Sequence, residues 1–269
     1  MMAAGRAAEC GAKVLLLEKT AQPGKKILIS GKTRCNLTNA KELDEFITMY
    51  GANGNFLYYA FNCFFREELL AFLSRYGVAT KTERGGRIFP VSDDAQDIVK
   101  AFEHYLADNK VRIRTGVSAT KILVEQGHII GVQTGTKTYS AGAVILAAGG
   151  ASYPGTGSTG DGYRLASAIG HTVIKLRPSL VPLVVYEIER AKSMQGVSLR
   201  NVRLTAYQGK SDDIDTSKAP TRDTGRGIPG KRPQSPIIES RMGDMMFTHF
   251  GIGGPITLQM SLSVVEALE

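Results

Sequence analysis

A doubly wound α/β fold that gives way to a β-rich region is what this 269-residue sequence predicts. Three observations carry the prediction. Residues 14–17 form a short apolar run that ends in an acid, Glu18, and a run of that kind suits a buried parallel strand. A second apolar run, residues 143–147, ends directly in Gly149 and Gly150. After Pro178 the helical periodicity fades and period-2 alternation takes over, in residues 180–188 and 198–207.

The elements follow in order. Residues 1–10 are Ala-rich and helix-prone, with Gly11 as a natural C-cap. The first strand comes next, over 13–17, and then a Gly- and Lys-rich loop with a short apolar centre over 24–31. Residues 42–77 have a helical pattern with a break at 51–54, and 67–76 is the clearest helix within it. Residues 94–106 form another helix, capped by Ser92 or Asp93. Residues 111–115, 119–125, 129–134 and 138–140 read as a strand followed by a meander, with turns at Gly127 and Gly135. Residues 161–169 form a short helix closed by Gly170. The last run, 245–269, is a strand, a Gly/Pro turn and the start of a helix.

Composition narrows the function classes. The chain is 43% hydrophobic and 22% charged, enough apolar content for one large domain or two smaller ones. Many of its 30 glycines fall in three clusters, 149–162, 225–230 and 251–254, which points to tight turns and close backbone approach to a ligand. Cys10, Cys35 and Cys63 show neither a disulfide framework nor a zinc spacing, so no metal and a cytoplasmic setting are expected. No stretch approaches 18 apolar residues, which argues against a membrane span. The net charge of +8 is partly local to the basic, proline-bearing stretch 218–241, which reads as a loop or disordered insert. That stretch lacks interleaved aromatics and no RNA-binding signature is present, so nucleic acid is not an expected partner.

The chemistry concentrates in residues 11–39. A carboxylate at the C-terminal end of a strand is how a doubly wound fold holds a ribose hydroxyl, and Glu18 stands there. A surface glutamate at a strand end is the plainer alternative. It loses ground because Lys19, Gly24, Lys25 and Lys26 follow, offering positive charge and backbone N–H groups where a pyrophosphate would lie. The cluster S-G-K-T-R-C-N at 30–36 suits a loop around a polar, planar ligand. Backbone approaches at Gly31, and Arg34 can make a fork with phosphate or a stacked contact. Cys35 is read as a small buried hydrophobe, because no histidine nearby would serve a nucleophile as base. His171 and His249 are read as packing or local capping residues.

Five segments in this order resemble the BaiN-like family of NAD(P)/FAD-dependent oxidoreductases, the aminoacetone-oxidase-like flavoproteins. They are KVLLLEK (13–19), GKKILISGKTRCNLTN (24–39), VILAAGGASYPGTGSTGDGY (144–163), GHTVIKLRPSLVPL (170–183) and FTHFGIGGP (247–255). The resemblance implies a partial Rossmann-like FAD-binding domain over 1–179 and a β-rich insert domain over 180–269, both incomplete, with a disordered loop at 210–241. By the resemblance Glu18 binds the adenosine ribose, flanked by Lys19, while Lys26, Ser30, Gly31, Arg34, Cys35 and Asn36 run along the pyrophosphate towards the flavin. Val117 meets the adenine, and Ala148, Gly149 and Gly150 lie close to the cofactor. Asp161 either continues that wall or simply caps a helix.

The family implies FAD as cofactor, NAD(P)H as electron donor, a small-molecule substrate and flavin-mediated hydride transfer. It assigns no catalytic acid or base. It also begins with a strand and a G-x-G-x-x-G turn ahead of residue 1 and continues past residue 269, so the chain is expected to be truncated at both ends. The alternative expectation is a non-catalytic fragment that binds FAD weakly or not at all. The family reads S-G-G-G-R-C-N where this chain has Lys32 and Thr33.

Overall fold

A computed structural model describes residues 1–209, 213–215, 217, 219–224 and 236–269. The chain divides into two compact units, residues 1–46 with 57–174 and residues 47–56 with 175–269.

The first unit is mixed α/β. Helix α1 (Met2–Glu9) leads into strand β1 (Leu15–Leu17). Helix α2 (Lys25–Ile29) stands where the sequence suggests a loop, started by Gly24 in the left-handed region. Strand β2 (Thr38–Asn39) and helix α3 (Leu43–Thr48) follow; residues 47–56, with most of a 3-10 turn over Gly51–Leu57, count with the second unit, and helices α4 (Tyr58–Cys63) and α5 (Arg66–Arg75) resume the first. The expected helical stretch with a break near 51–54 is therefore present. Strands β3 (Thr80–Glu83) and β4 (Arg87–Pro90), absent from the sequence reading, form an antiparallel sheet with β2 in the order β2-β4-β3.

Helix α6 (Ala95–Asp108) carries the core, because its apolar residues recur at helical spacing. Ile98, Ala101 and Tyr105 bury one face against Phe72, Leu73 and Val78, with Cys35 in the same cluster. Its cap is Asp94, whose side chain accepts from the Gln96 N–H, rather than the expected Ser92 or Asp93. Asp93 has φ +55° and its carboxylate is used elsewhere. Strand β5 (Arg112–Arg114) returns parallel to β1, with Leu16 opposite Ile113. The expected meander is β6 (Ala119–Glu125), β7 (His128–Thr134) and β8 (Thr138–Ser140). Helix α7 (Asp161–Ala168) closes the unit.

The expected buried strand at 143–147 is not formed. Among the described residues the segment has no ladder partner, and Ile145 and Leu146 are 63% and 39% exposed. An apolar run becomes a buried strand only when neighbours pair its backbone on both sides. Among the described residues β1 pairs with β5 alone. For the same reason β1 is half-buried rather than enclosed.

The second unit is a four-stranded antiparallel sheet in the order β10-β11-β12-β9. It comprises β9 (Leu183–Val184), helix α8 (Ile188–Ser193), β10 (Ser198–Tyr207), β11 (Ile237–Thr248), β12 (Gly251–Gly253) and helix α9 (Pro255–Leu268). Only two residues of the expected 180–188 strand pair, and a helix begins at Ile188. Much of the expected 210–241 loop lies outside the described residues, and its far end, from Ile237, is strand. Pro255 at the first turn of α9 suits a position whose N–H needs no helical partner. Ile256, Thr257, Met260 and Ser261 of α9 are buried. Among the described residues no helix is long and apolar enough to cross a membrane, and no His/Cys/Asp/Glu group could hold a metal.

Candidate functional site

The C-terminal end of β1 builds the first wall. The Glu18 N–H donates to the Arg114 carbonyl at 2.8 Å, and the Val117 N–H donates back to the Glu18 carbonyl at 2.9 Å. Glu18 and Val117, 99 positions apart, thus sit side by side at the end of the parallel pair. Glu18 Oε1 accepts from the Thr20 N–H at 2.7 Å and the Thr20 hydroxyl at 2.8 Å, which holds the carboxylate over its own turn. Beside Val117 lies a crevice of about 300 Å³, bounded by Gly116, Ser118, Thr134, Gly135 and Tyr139.

Two lysines tie this wall to the segment 148–162. Lys19 Nζ donates to Asp161 Oδ2 at 2.7 Å, to the Thr159 hydroxyl at 2.6 Å and to the Gly157 carbonyl at 3.3 Å. Lys26 Nζ donates to the Ser152 carbonyl at 2.7 Å. The Lys19 hydrogen bond, and after it the one from Thr159, hold the Asp161 carboxyl below the usual carboxylate range. Asp161 is therefore more than a helix cap: the N-cap of α7 is Gly160, and the Asp161 side chain turns to Lys19 and Thr159.

The segment itself takes its bends at glycine. Gly149, Gly157 and Gly160 have φ of +73°, +92° and +82°. A Cβ on Gly157 would lie 2.8 Å from the Thr20 methyl, so the close approach of this loop to the Glu18 turn requires glycine. Ala148 and Gly149 are exposed and Gly150 is half-buried.

The 30–36 loop is built differently. Gly31 (φ +57°) is followed by left-handed Lys32 (+56°), Thr33 (+69°) and Cys35 (+61°). Left-handed backbone at side-chain-bearing residues costs about 1–3 kcal/mol each, most for β-branched Thr33, and persists only where surroundings enforce it. A Cβ on Gly31 would stand 2.6 Å from the Asn36 nitrogen. Cys35, 6% exposed, anchors the loop in the core. Burial pushes its thiol up, and a hydrogen bond with Ser30 offsets part of that, so no reactive thiolate is favoured. The Ser30 hydroxyl donates to the Ile27 carbonyl at 2.9 Å, and Asn36 is exposed.

Arg34 is paired with two acids of this chain. Its Nη1 and Nη2 donate to the two oxygens of Glu83 at 2.9 and 3.0 Å, and Nη1 also reaches Asp93 Oδ1 at 3.0 Å. The guanidinium stacks on Phe89, 4.1 Å from the ring centroid. Lys81 Nζ donates to Asp93 Oδ2 at 2.6 Å. The Arg34 hydrogen bond holds the Glu83 carboxyl low, and chiefly the Lys81 hydrogen bond does so for Asp93.

The structure thus gathers Glu18, Lys19, Val117 and Asp161 into one hydrogen-bonded group, ties Lys26 to the same 148–162 segment, and sets Ser30, Gly31, Arg34, Cys35 and Asn36 in a separate clamped loop. Sequence reasoning missed Thr20, Glu83, Asp93 and Thr159. The acids lie 49 and 59 residues from Arg34, and no local pattern marks them. The His171 side chain is exposed while its N–H caps the end of α7 on the Ala166 carbonyl at 3.1 Å, and His249 meets the Phe250 ring edge-on at 4.7 Å.

The family described as HI0933-like protein Rossmann domain matches residues 1–250, and the chain belongs to it. The 3-dehydro-bile acid delta(4,6)-reductase of Clostridium scindens is 32% identical over 258 residues, which is 96% of this chain and 55% of that protein. The ribosomal RNA dihydrouridine synthase of Escherichia coli is 26% identical over 264 residues, 97% of this chain and 57% of that one. Its counterpart from Haemophilus influenzae is 27% identical over 267 residues, 97% of this chain and 58% of that one. The chain therefore spans little more than half the length of these relatives. A solved glycine oxidase from Bacillus cereus aligns with a TM-score of 0.37 at 15% identity, covering 61% of this chain and 55% of that one, too low a likeness to carry an argument.

Proposed function

We propose that this chain is the cofactor-binding part of an FAD-dependent oxidoreductase. Residues 1–179 act as the FAD-binding region and 180–269 as a β-rich insert. The observation that carries the reading is the joining of the Glu18 turn to Val117 and, through Lys19, to the glycine-bent segment 148–162. The residues present suit the cofactor. Glu18 offers a carboxylate for a ribose hydroxyl, the crevice at Val117 suits a planar base, and glycines at 149, 157 and 160 keep Cβ atoms out of the backbone's way. When bound, FAD supplies the hydride chemistry, with NAD(P)H as electron donor. The protein's part is to hold the adenosine end at Glu18 and to place backbone N–H groups of 148–150 beside the cofactor.

The matched relatives' names both describe reductions, one of a bile acid and one of uridine in ribosomal RNA, and they support a reductive reaction here. A small unsaturated molecule in the cytoplasm is the proposed substrate. Uridine in RNA is the competing reading, favoured by the two synthase relatives and the net charge of +8. The alternative, that this chain alone binds FAD weakly or not at all, has a separate observation in its support: among the described residues β1 has one strand partner and 143–147 is unpaired.

The test is FAD titration of the purified chain, read by flavin fluorescence. Saturable binding that Glu18→Ala weakens roughly tenfold is expected, the size of a lost hydrogen bond to a charged group. Saturable binding untouched by Glu18→Ala would remove the assigned site, and no binding would leave the non-binding fragment as the better description.

A further inference from the structure

We propose that Arg34 does not bind the cofactor's phosphates but is a positioning residue, fastening the left-handed 31–35 loop to the β3–β4 hairpin and the start of α6 through Glu83 and Asp93. The inference rests on reading 30–36 as a cofactor loop.

The geometry leaves Arg34 little to offer an anion. Both terminal nitrogens donate to the Glu83 carboxylate, one of them also to Asp93, and one face lies against Phe89. A two-pronged arginine–carboxylate pair is among the strongest side-chain hydrogen-bonded contacts, and its planar match fixes direction as well as distance. A phosphate brought to this guanidinium would meet two carboxylates first. Lys81 and Arg87 stand by as counter-charges, Lys81 at 2.6 Å from Asp93 and Arg87 at 4.0 Å from Glu83, so the acids are held in place.

The loop needs such a fastening. Three of its residues hold φ that side chains disfavour, and the apolar anchor within it is Cys35 alone. A second tie runs in parallel: the Ala95 N–H donates to the Thr33 carbonyl at 2.9 Å, joining the loop to the first residue of α6. Asp93 and Ala95 thus bring the helix start to the loop from two sides, while Glu83 brings the hairpin.

Cys35 beneath the loop is a reporter that needs no cofactor. The exposed Cys10 and Cys63 are first replaced by serine, and the rate of Cys35 alkylation by a small maleimide is measured. Glu83→Gln, equal in size but uncharged, is expected to raise that rate roughly tenfold with the far-UV spectrum unchanged, because local opening becomes easier. Glu83→Asp keeps most of the protection, and Asp93→Asn raises the rate less, serving also where Glu83→Gln does not fold. In FAD titrations Glu83→Gln weakens binding together with the loss of protection. A Cys35 as slow in Glu83→Gln as in the parent overturns the proposal. So does a Glu83→Gln protein that binds FAD more tightly with Cys35 still protected, for then the freed Arg34 serves phosphate. If the parent binds no FAD, the functional reading fails while the alkylation result still decides the role of Arg34.

Discussion

The segments 148–162 and 30–36 both turn sharply, yet they manage left-handed backbone in opposite ways. In 148–162 the bends fall on Gly149, Gly157 and Gly160, with Tyr153 the one exception. In 30–36 they fall on Lys32, Thr33 and Cys35 as well as Gly31. A glycine loop needs little support, and 148–162 is largely exposed, held by two lysines. A loop that puts side chains at positive φ must be held by its surroundings. The 30–36 loop has a buried thiol, a backbone tie to Ala95 and the Arg34 clamp. Strain and clamp are therefore two halves of one arrangement.

The largest expected effect is at Gly31, where both features meet. Gly31→Val puts a branched side chain at φ +57° and a Cβ 2.6 Å from the Asn36 nitrogen. A loss of about 3 kcal/mol is expected from strain and overpacking, measured as a lower denaturant midpoint. A loss under about 1 kcal/mol would mean that the loop is looser than its contacts imply. Thr33→Gly works the other way. Removing a β-branched residue from φ +69° relieves strain, against some added unfolded-state freedom, so stability rises by about 1 kcal/mol. A fall in melting temperature would show that the Thr33 side chain contributes something its position does not reveal.

The smallest effect concerns the glycine loop. The Asp161 carboxyl is held low by Lys19, so the pair stabilises the fold above the unfolded aspartate's pKa and loses that contribution as pH falls through the lower folded value. Lys19→Met is expected to lower stability by at most about 1 kcal/mol at pH 7, as for a part-exposed ion pair, with the difference vanishing well below pH 4. Unfolding curves of parent and variant that stay apart at low pH would remove the ion pair as the cause.

Sequence patterning revealed most of what is local. Helix α6 is legible because its apolar residues repeat at helical spacing, and the β6–β8 meander because Gly127 and Gly135 punctuate alternating runs. Strands β3 and β4 were not legible. Their residues, TKTE and RIFP, have no strong strand pattern, and pairing with each other and with β2 makes them a sheet. At 143–147 the error ran the other way: a strong strand pattern met no partner among the described residues.

From the chain of residues alone came the order of the five segments, the acid at the end of an apolar strand, the glycine clusters and the likeness to a flavoprotein family. These are properties of residue type and spacing, which need no partner to be read. Tertiary structure decided which charges were spent. The sequence offers Arg34 as a phosphate ligand, and the fold sets Glu83 and Asp93, far along the chain, against its terminal nitrogens. Lys19 reads as a flank of Glu18 until its ammonium is found on Asp161. A side chain's charge is written in the sequence, but the partner it meets depends on where the fold brings the chain back, and only that meeting settles whether the charge is free for a ligand.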